Sequence, residues 1–478
     1  MSLSKRIKKE RSVFKDRGFI QSITIPKNLY RSSYPTIESS NVPSSKSIWI
    51  EAYGCPSNIA DSEMIKGLLI ADGFDIAQSQ TEADASIIVT CSVKDSTEHK
   101  MLHRIREVTK SGRPVVVAGC LAKADKKKVQ STNSAVSLMG PNSLDKTVHV
   151  VRSALRNKTV IALEDSVLPK INLPRVRLNK LVSIVEISTG CLSECSFCQT
   201  KTARGRLRSY RIGDIIRQIR QDISEGCKEV WLSSTDNGCY GRDIGLNLVD
   251  LLHSCGSIDA NYKIRVGMMN PMYIPSMKEK LVKIFEQNEK IFKFIHIPVQ
   301  SGNDRILKKM KRGHTVEIFK RLAKMLRSEI PRITIATDII AGFPSESDAE
   351  FQDTISLLSE IRPDITNISK YSSRPGTEAS KMDRLDSQTI KKRTEELHLL
   401  VKKISIEQNL KWKDWRGRIL VDEITNDALI GRNFAYKPIF IPFVKCGLSK
   451  DLAKNELGSE IDVEVEWASP NALRGSIL

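Results

Sequence analysis

Short apolar segments alternate with amphipathic helical segments twice along this chain, and that alternation constrains the fold more than any other feature. The first series begins at Ser47 and contains the segments SIWIEAYGC, ASIIVTC and PVVVAGC, with helices predicted over Ser57–Ala71 and Thr97–Lys110. Strands that alternate with helices pair in parallel, because a parallel neighbour requires a long crossover connection. The sequence therefore predicts an α/β protein whose N-terminal domain is an open parallel sheet.

A second α/β series follows, and it is longer. Its predicted strands are LVSIVEIS, EVWLSS, KIRVGM, KFIHIPV, ITIATDII and ITNISKYS, separated by helical stretches such as Ile212–Glu225 and Glu346–Ile361. Six such units favour a partial (β/α)6 barrel with its site at the carboxyl ends of the strands. From about Trp412 the pattern changes to RGRILVDEI, ALIGRNFAYKPIFIP and SEIDVEVEWA, which is typical of a small appended β-barrel.

The length of 478 residues exceeds what one ordinary core supports, so several domains are expected. The predicted division is a basic disordered tail at 1–45, an N-terminal α/β domain at 46–165, a central barrel core at 180–410 and a C-terminal β-barrel at 411–478. A linker is expected near Ser166–Asn179, between the first two folded domains.

The net charge of +19 arises from 75 Lys and Arg residues against 56 Asp and Glu residues. Such a surplus favours a polyanionic partner such as nucleic acid, although a scattered positive surface would give the same total. The chain contains no apolar run long enough to cross a bilayer, and its start lacks the apolar core of a secretory signal. We therefore expect a cytoplasmic protein without a membrane anchor, whose ten cysteines are not a disulfide framework.

Three cysteines of the first series stand at equivalent places. Cys55, Cys91 and Cys120 each end a predicted strand. The carboxyl ends of parallel strands lie along one edge of a sheet, so the three thiols are expected to converge there on one ligand. Cysteine is also a common small buried residue near strand ends, and that interpretation is the alternative.

Three more cysteines, Cys191, Cys195 and Cys198, form a CxxxCxxC loop directly after the first strand of the second series. A structural zinc site needs a fourth ligand, and neither His nor Cys follows within the next twenty residues. An iron–sulfur cube takes four thiolates, so three would leave one iron open to a substrate or cofactor. The remaining cysteines have no partners at ligand spacing and are interpreted as ordinary thiols: Cys227, Cys239, Cys255 and Cys446.

The CxxxCxxC loop, with Phe197 before its last cysteine, resembles the loop of radical S-adenosylmethionine (SAM) enzymes. The resemblance implies that Cys191, Cys195 and Cys198 hold a [4Fe–4S] cluster whose open iron is chelated by SAM. It also implies that reduction of the cluster cleaves SAM to a 5′-deoxyadenosyl radical. No acid or base side chain activates an unpolarised C–H bond, so a cofactor of this kind is chemically motivated.

The layout of an N-terminal domain with three spaced cysteines, a radical SAM core and a small barrel called TRAM is similar to that of the methylthiotransferases. The segments CQTKTARG, STDNGCYGRD, GMMNP, HIPVQSGNDRIL, TDIIAGFPSE and GRNFAYKPIFIP look most like the archaeal and eukaryotic type that acts on threonylcarbamoyladenosine (t6A) in tRNA. The resemblance implies that Cys55, Cys91 and Cys120 hold an auxiliary [4Fe–4S] cluster that carries the donated sulfur.

The reaction implied by this resemblance converts t6A at position 37 of tRNA to its 2-methylthio derivative, using two SAM molecules per turnover. The implied partners are the tRNA anticodon loop and a low-potential electron donor, and the protein is expected to be a monomer. The same chemistry on isopentenyladenosine or on a ribosomal protein is the alternative. A second alternative is an RNA-binding protein with structural clusters, against which the two complete cysteine groups argue.

Further residues match the family pattern at the strand ends of the core. No catalytic side chain is expected beyond the cluster ligands, and the residues expected to contact SAM are Phe197, Ser234, Asp236, Gln300, Ser301 and Asp338. Each could instead be an ordinary hydrogen-bonding or packing residue. Basic and aromatic residues alternate in KWKDWRGR, which suits phosphate contacts and base stacking. The residues expected to contact RNA are Arg204, Lys411, Arg416, Arg432 and Asn433.

Overall fold

The structure is a computed structural model that describes residues 46–93, 95–446 and 453–478. The chain divides into two units, the first ending at Leu178 and the second beginning at Asn179. The basic tail predicted over residues 1–45 lies outside the described residues. No helix within the described ranges is long and apolar enough to span a membrane.

Six parallel strands form the sheet of the first unit, in the order β2-β1-β3-β4-β5-β6. They are β1 (Ser47–Ala52), β2 (Asp75–Ile76), β3 (Ala85–Thr90), β4 (Val115–Gly119), β5 (Ser137–Met139) and β6 (Ile161–Ala162). The central strands β3 and β4 are buried along their whole length, which is why they consist almost entirely of apolar residues. The predicted open parallel sheet is confirmed.

The helices of the first unit are α1 (Pro56–Ala71), α2 (Asp95–Thr109), α3 (Cys120–Ala124), α4 (Lys126–Gln130) and α5 (Thr147–Leu155). The helices predicted at Ser57–Ala71 and Thr97–Lys110 are therefore present, with ends shifted by one or two residues. Proline starts α1 without cost, because the first amide of a helix has no intrahelical partner.

The segment expected to be a linker packs against α1 instead of extending freely. The ammonium group of Lys170 lies 2.8 Å from Asp61, and both side chains are almost fully buried. Glu63 accepts a hydrogen bond from the Val176 amide at its carbonyl oxygen and one from the Leu178 amide at its carboxylate, each at 2.9 Å. Buried polar groups of this kind are paired, so this segment is part of the first unit.

Parallel strands also build the core of the second unit. They are β7 (Val182–Glu186), β10 (Glu229–Ser233), β11 (Lys263–Val266), β12 (Phe294–His296), β13 (Thr334–Ala341) and β14 (Ile365–Lys370), and the short strands β8 (Ser188–Thr189) and β9 (Arg208–Ser209) pair separately. Two three-stranded parallel sheets meet where Ile264 bridges to Ile291 between β11 and β12. The strands thus follow one another in chain order, as predicted for a partial barrel.

Helices connect these strands. They are α6 (Thr200–Arg204), α7 (Ile212–Ser224), α8 (Leu248–Gly256), α9 (Lys278–Gln287), α10 (Asp304–Lys309), α11 (Val316–Glu329), α12 (Asp348–Ile361) and α13 (Ser387–Leu410). The α7 and α11 helices each turn one apolar face to the core, as crossover helices of an α/β fold do.

The end of the chain forms a closed five-stranded barrel, in the order β15-β16-β17-β19-β18. Its elements are β15 (Arg416–Ile424), β16 (Ala428–Arg432), β17 (Pro438–Pro442), the short helix α14 (Phe443–Cys446), β18 (Glu460–Ala468) and β19 (Leu473–Ile477). Lys437 joins this barrel to the core, because its buried ammonium group donates to Asp364 and to Asn409 at 3.0 Å each. The predicted C-terminal barrel is confirmed.

Candidate metal centres

The three cysteines of the first unit follow three neighbouring strands of its sheet. Cys55 precedes α1 after β1, Cys91 follows β3 directly, and Cys120 begins α3 after β4. Cys91 and Cys120 are buried, whereas Cys55 is exposed. The structure therefore places all three at the same edge of the sheet, with one open side.

The buried side chain of Asn58 connects the ends of these strands. Its amide nitrogen donates to the carbonyl oxygens of Tyr53, at 2.8 Å, and Thr90, at 3.0 Å. Its amide oxygen lies 3.7 Å from the sulfur of Cys120. One side chain thus holds the segment before Cys55 and the end of β3 together, next to the third cysteine. Sequence analysis missed this residue, because an asparagine in the first turn of a helix looks like an ordinary polar residue.

Gly54 leaves space for the sulfur of Cys91. Its φ is +111°, and a Cβ atom at Gly54 would lie 2.6 Å from the Cβ and 3.0 Å from the sulfur of Cys91. The amide of Val93 points at the same sulfur, with a separation of 3.4 Å. A glycine and an N–H donor around a cysteine sulfur are suited to a thiolate that binds a metal cluster.

The cysteine loop of the second unit starts after β8 and ends before β9. The two strands pair through Ser188 with Ser209 and through Thr189 with Arg208, so they close the loop at its base. Gly190 has a φ of +74°, and a Cβ atom there would meet the carbonyl oxygen of Arg206 at 1.9 Å. Glycine is therefore required directly before Cys191.

The three sulfurs of this loop differ in exposure and in their neighbours. Cys191 is buried, and Cys195 and Cys198 are partly exposed. The Ser193 amide donates to the Cys191 sulfur at 3.3 Å, and Nη1 of Arg312 donates to the Cys195 sulfur at 3.3 Å. Sequence analysis did not single out Arg312, because a basic residue far along the chain gives no signal of this contact. Its contact with a cysteine of the loop is decided by the fold.

The structure also brings a fourth cysteine to the loop. The ligand atoms of Cys191, Asp236 and Cys239 all lie within 4.8 Å of one another, and Cys239 is fully buried. Sequence spacing predicts Cys239 to be an ordinary thiol, and it is buried; the turn after β10 places it beside Cys191, a contact that the spacing does not reveal. The Cys239 sulfur also lies 3.2 Å from the carbonyl oxygen of Asp236.

The pKa values of this group reflect hydrogen bonding and burial. The hydrogen bond from Cys239 lowers the pKa of Cys191 to about 7, and the same bond together with burial raises the pKa of Cys239. Burial raises the pKa of Asp236 to about 6. The backbone amides of Gly238 and Asn270 donate to its carboxylate and partly offset this rise. Cys191 is thus the member of the group that most readily becomes a thiolate.

The residues expected to contact SAM near β10 are engaged in local hydrogen bonds. Asp236 accepts from the Gly238 amide at 2.9 Å and from the Asn270 amide at 3.0 Å. The Ser234 hydroxyl donates to the side-chain oxygen of Asn237. These bonds shape the turn after β10, in which Asp236 lies beside Cys191.

Gln300 and Ser301 lie in the segment that follows β12. Gln300 has a φ of +77°, and its backbone bridges to β13 through the Asp338 carbonyl oxygen at 2.9 Å and the Ile340 amide at 3.0 Å. Ser301 is buried and accepts from the Asn303 amide at 3.3 Å. Phe197, by contrast, packs edge-on against Phe343, with ring centroids 6.4 Å apart, inside an apolar cluster.

Asp338 belongs to a polar group that spans three neighbouring strands. Its carboxylate lies 3.0 Å from Nε2 of His296 on β12. It also accepts a hydrogen bond from the side-chain nitrogen Nδ2 of Asn367 on β14 at 2.8 Å. His296 and Asn367 were missed by the sequence analysis, because neither stands at a recognisable spacing from Asp338. His296 and Asp338 are partly exposed, and Asn367 is exposed.

Three of the residues expected to contact RNA lie largely inside the protein. Arg204 pairs at 2.8 Å with Glu186, and both side chains are buried. Arg432 pairs at 2.9 Å with Asp422 and lies over the ring of Tyr436. Asn433 is 1% exposed, so it presents almost no surface to a partner. Internal ion pairs engage Arg204 and Arg432, and burial withdraws Asn433 from the surface, so the described structure does not favour RNA contacts by these three residues.

The other two residues expected to contact RNA are on the surface. The ammonium group of Lys411 donates to Gln408 at 2.7 Å, and Arg416 is 67% exposed beside Glu464. Three aromatic residues pack together in this part of the chain: Trp412 lies in the barrel core, and Trp415 and Phe434 contact it with ring centroids 5.7 and 5.8 Å away. Phe434 is 37% exposed, which makes it the aromatic residue of this group that a base could reach.

Comparison with known proteins identifies the two main parts of the chain. The model described as the Radical SAM superfamily matches residues 185–358, and the model described as Uncharacterized protein family UPF0004 matches residues 47–140. Among solved structures, the radical S-adenosylmethionine methyltransferase TsrM from Kitasatospora setae aligns with a TM-score of 0.53 at 11% identity, covering 70% of this chain and 77% of that one. This likeness concerns the fold alone.

Curated relatives are similar over most of their length. The protein named "Probable threonylcarbamoyladenosine tRNA methylthiotransferase" of Pyrococcus horikoshii is 40% identical over 83% of this chain and 93% of its own length. The threonylcarbamoyladenosine tRNA methylthiotransferase of Drosophila melanogaster is 35% identical over 93% of this chain and 80% of its own length. The human protein of that name is 34% identical over 91% of this chain and 78% of its own length.

Proposed function

This chain belongs to the threonylcarbamoyladenosine tRNA methylthiotransferase family, and we propose that it methylthiolates C2 of threonylcarbamoyladenosine at position 37 of tRNA. Two three-cysteine groups, each following parallel strands in its own unit, are the observation that carries the proposal. The reaction replaces a C–H bond by a C–S–CH₃ group. It therefore needs both a means of activating that bond and a source of sulfur.

The residues of the second unit fit a [4Fe–4S] cluster with bound SAM. Cys191, Cys195 and Cys198 supply three sulfurs, and N–H donors from Ser193 and Arg312 point at two of them. When bound there, the cluster supplies the electron that cleaves SAM to a 5′-deoxyadenosyl radical. The protein supplies the buried base of the loop, where Gly190 permits a close approach of its backbone to Arg206.

The residues of the first unit fit a second cluster, which would carry the sulfur. Cys55, Cys91 and Cys120 stand at one sheet edge, Gly54 leaves space beside Cys91, and the Val93 amide points at the Cys91 sulfur. The exposed position of Cys55 gives this site an open side from which a sulfur could be transferred. Two clusters and two SAM molecules per turnover are the cofactor set that we propose.

The polar group on β12, β13 and β14 is the part of the core that we assign to orientation of SAM or of the nucleoside. The Asp338 carboxylate is held by His296 and Asn367, and the neighbouring backbone of Gln300 is fixed in a left-handed conformation. These groups have fixed donors and acceptors before a ligand arrives, so they select among ligands by hydrogen bonding. Ser301 follows β12 in the segment of Gln300, while Ser234 and Asp236 belong to the turn after β10 near Cys191; we assign these residues to SAM contacts as well.

RNA binding is assigned to the surface around Lys411, Arg416 and Phe434, with the excess positive charge of +19 as support. Cations at this surface would contact phosphates, and the exposed ring could stack on an unpaired base. The further partner is a low-potential electron donor, the proposed location is the cytoplasm, and the proposed oligomeric state is a monomer.

The test is mass spectrometry of nucleosides from tRNA of cells that lack this protein, complemented with variants. We expect the 2-methylthio derivative of t6A to disappear and to return with the unaltered chain. Cys195→Ala should restore neither SAM cleavage nor product. Cys91→Ala should cleave SAM without forming product, because the first unit then lacks its sulfur source.

Cys255→Ala is the matched control, since Cys255 is fully buried and belongs to neither group. It should restore the product as the unaltered chain does. Loss of the 2-methylthio derivative of isopentenyladenosine in place of that of t6A would transfer the substrate assignment to the alternative nucleoside. Normal product from Cys91→Ala would remove the sulfur-donor role from the first unit.

A further inference from the structure

Arg312 is a buried cation in contact with the cysteine loop. Its Nη1 atom lies 3.3 Å from the Cys195 sulfur, its Nη2 atom donates to the Pro298 carbonyl oxygen at 2.9 Å, and the residue is 9% exposed. An N–H group of a guanidinium at this distance from sulfur makes a charge-assisted hydrogen bond to a thiolate.

The backbone around Arg312 is tied to the loop by further hydrogen bonds. The Ser196 amide donates to the Met310 carbonyl oxygen at 3.0 Å, and the Ser196 hydroxyl donates to the Lys309 carbonyl oxygen at 2.7 Å. The Arg312 amide donates to the Leu307 carbonyl oxygen at 2.9 Å, which closes the turn after α10. The guanidinium and Cys195 are therefore held at a fixed separation, so their interaction belongs to the architecture of the loop.

The charge of Arg312 is not neutralised by an ion pair within the described residues. Its Nε atom is buried and has no hydrogen-bond partner there either. The positive charge of Arg312 lowers the pKa of the Asp236 carboxyl group, whereas burial raises it. A buried cation without a paired carboxylate is costly, and an anionic group at the loop would offset this cost.

We propose that Arg312 is a positioning residue that holds the Cys195 thiolate and raises the reduction potential of the cluster bound by the cysteine loop. The proposal rests on the proposed function, because it presupposes that Cys191, Cys195 and Cys198 bind this cluster. Adding one electron makes the cluster more negative, and a nearby buried positive charge stabilises the reduced form more than the oxidised form. Arg312 would thus make the cluster easier to reduce without contacting the substrate.

The test compares reduction potentials in the full chain carrying Cys91→Ala, so that only the cluster of the second unit is observed. Arg312→Gln keeps a hydrogen-bond donor and removes the charge, whereas Arg312→Lys keeps the charge. The control is Lys311→Gln, which removes the same charge from the neighbouring residue, whose side chain is 45% exposed. Redox titration followed by electron paramagnetic resonance gives the ratio of reduced to oxidised cluster at each applied potential.

Arg312→Gln should lower the ratio of reduced to oxidised cluster by about tenfold at a fixed potential, which is a shift of about 59 mV for a one-electron couple. Arg312→Lys should keep most of the original potential, and Lys311→Gln should leave it unchanged. The ratio does not depend on how much protein carries a cluster, so partial loading does not affect the comparison. If the Gln variant failed to load a cluster while the Lys variant had normal loading and a normal potential, this result would also support a role for the positive charge of Arg312.

An unchanged potential in Arg312→Gln would overturn the proposal, as would equal shifts in the Gln and Lys variants. Loss of the cluster from both variants would reduce Arg312 to a structural role and overturn the redox role. If the parent chain with Cys91→Ala bound no cluster, the proposed function itself would fail, and this outcome differs from every outcome that concerns Arg312 alone.

Discussion

Substitution of Gly54 by alanine is expected to disrupt the sulfur site of the first unit without changing any cysteine. Gly54 has a φ of +111°, which alanine adopts only with strain, and its missing side chain is the space beside Cys91. Gly73 is the matched control: it has a φ of +93°, and a Cβ atom there would have no neighbour within 4 Å among the described residues. Both variants incur backbone strain, and only Gly54→Ala adds a steric contact.

The size of the effect follows from these distances. Backbone strain costs about 1–2 kcal/mol at either position, partly offset by the lower entropy of the unfolded alanine chain. At Gly54 the new methyl would stand 2.6 Å from the Cβ of Cys91, whereas two carbon atoms prefer about 3.5–4.0 Å, so Cys91 must move by about 1 Å. Overpacking of this kind adds about 1–3 kcal/mol. Gly54→Ala should therefore destabilise the first unit by about 2–4 kcal/mol, and Gly73→Ala by about 1 kcal/mol.

The assay combines thermal unfolding with iron analysis after anaerobic reconstitution. A cluster ligand displaced by about 1 Å is a poor ligand, since such sites require positioning within about 0.5 Å. Gly54→Ala should retain about four irons and cleave SAM without forming product, while Gly73→Ala should retain about eight irons. Equal iron contents in the two variants would refute the reasoning, because Cys91 would then tolerate the displacement or would not bind iron.

Three other predictions concern separate parts of the molecule. Cys239→Ala should preserve the iron of the cysteine loop and SAM cleavage, whereas Cys191→Ala should abolish both. Loss of iron from the Cys239→Ala variant would instead identify Cys239 as a fourth ligand, and no iron of the cluster would then be open to SAM. Arg416→Ala should weaken tRNA binding and reduce the slope of log affinity against log salt by about 1, and an unaltered slope would place the phosphate contact elsewhere. Burial raises the pKa of Glu63 from its ordinary value of 4.5 to about 7, so the folded state retains a proton that the unfolded state releases. The free energy of unfolding should therefore fall between about pH 5 and 7. Glu63→Gln should reduce this decline in denaturant unfolding measured against pH, with the remainder due to other buried carboxyls such as Asp236. A decline of undiminished size would show that Glu63 does not contribute to it.

The order of strands and helices followed from local patterns. Apolar runs of five or six residues separated by amphipathic segments specify parallel strands and crossover helices, and the two series predicted both α/β units. The cysteines at the ends of β1, β3 and β4 could also be placed at one edge, because parallel strands have a common direction. Predictions of this kind depend on residues that are close in sequence or on a regular topology.

Contacts between distant segments could not be predicted in the same way. The approach of Cys239 and Arg312 to the cysteine loop depends on how the turn after β10 and the turn after α10 close against that loop. The burial of Arg432 and Asn433 likewise depends on the packing of the C-terminal barrel, where Asp422 and Tyr436 meet Arg432. A basic residue has the same local pattern whether its partner is a phosphate or a buried carboxylate.

The sequence by itself determined the two α/β units, the closing barrel and the two groups of three thiols, because strand periodicity and cysteine spacing are local properties of the chain. Only the tertiary structure decided which side chains surround the thiols and which arginines face solvent. Those relationships depend on burial and on hydrogen bonds between segments far apart in sequence, and a buried polar group must find its partner wherever the fold places one.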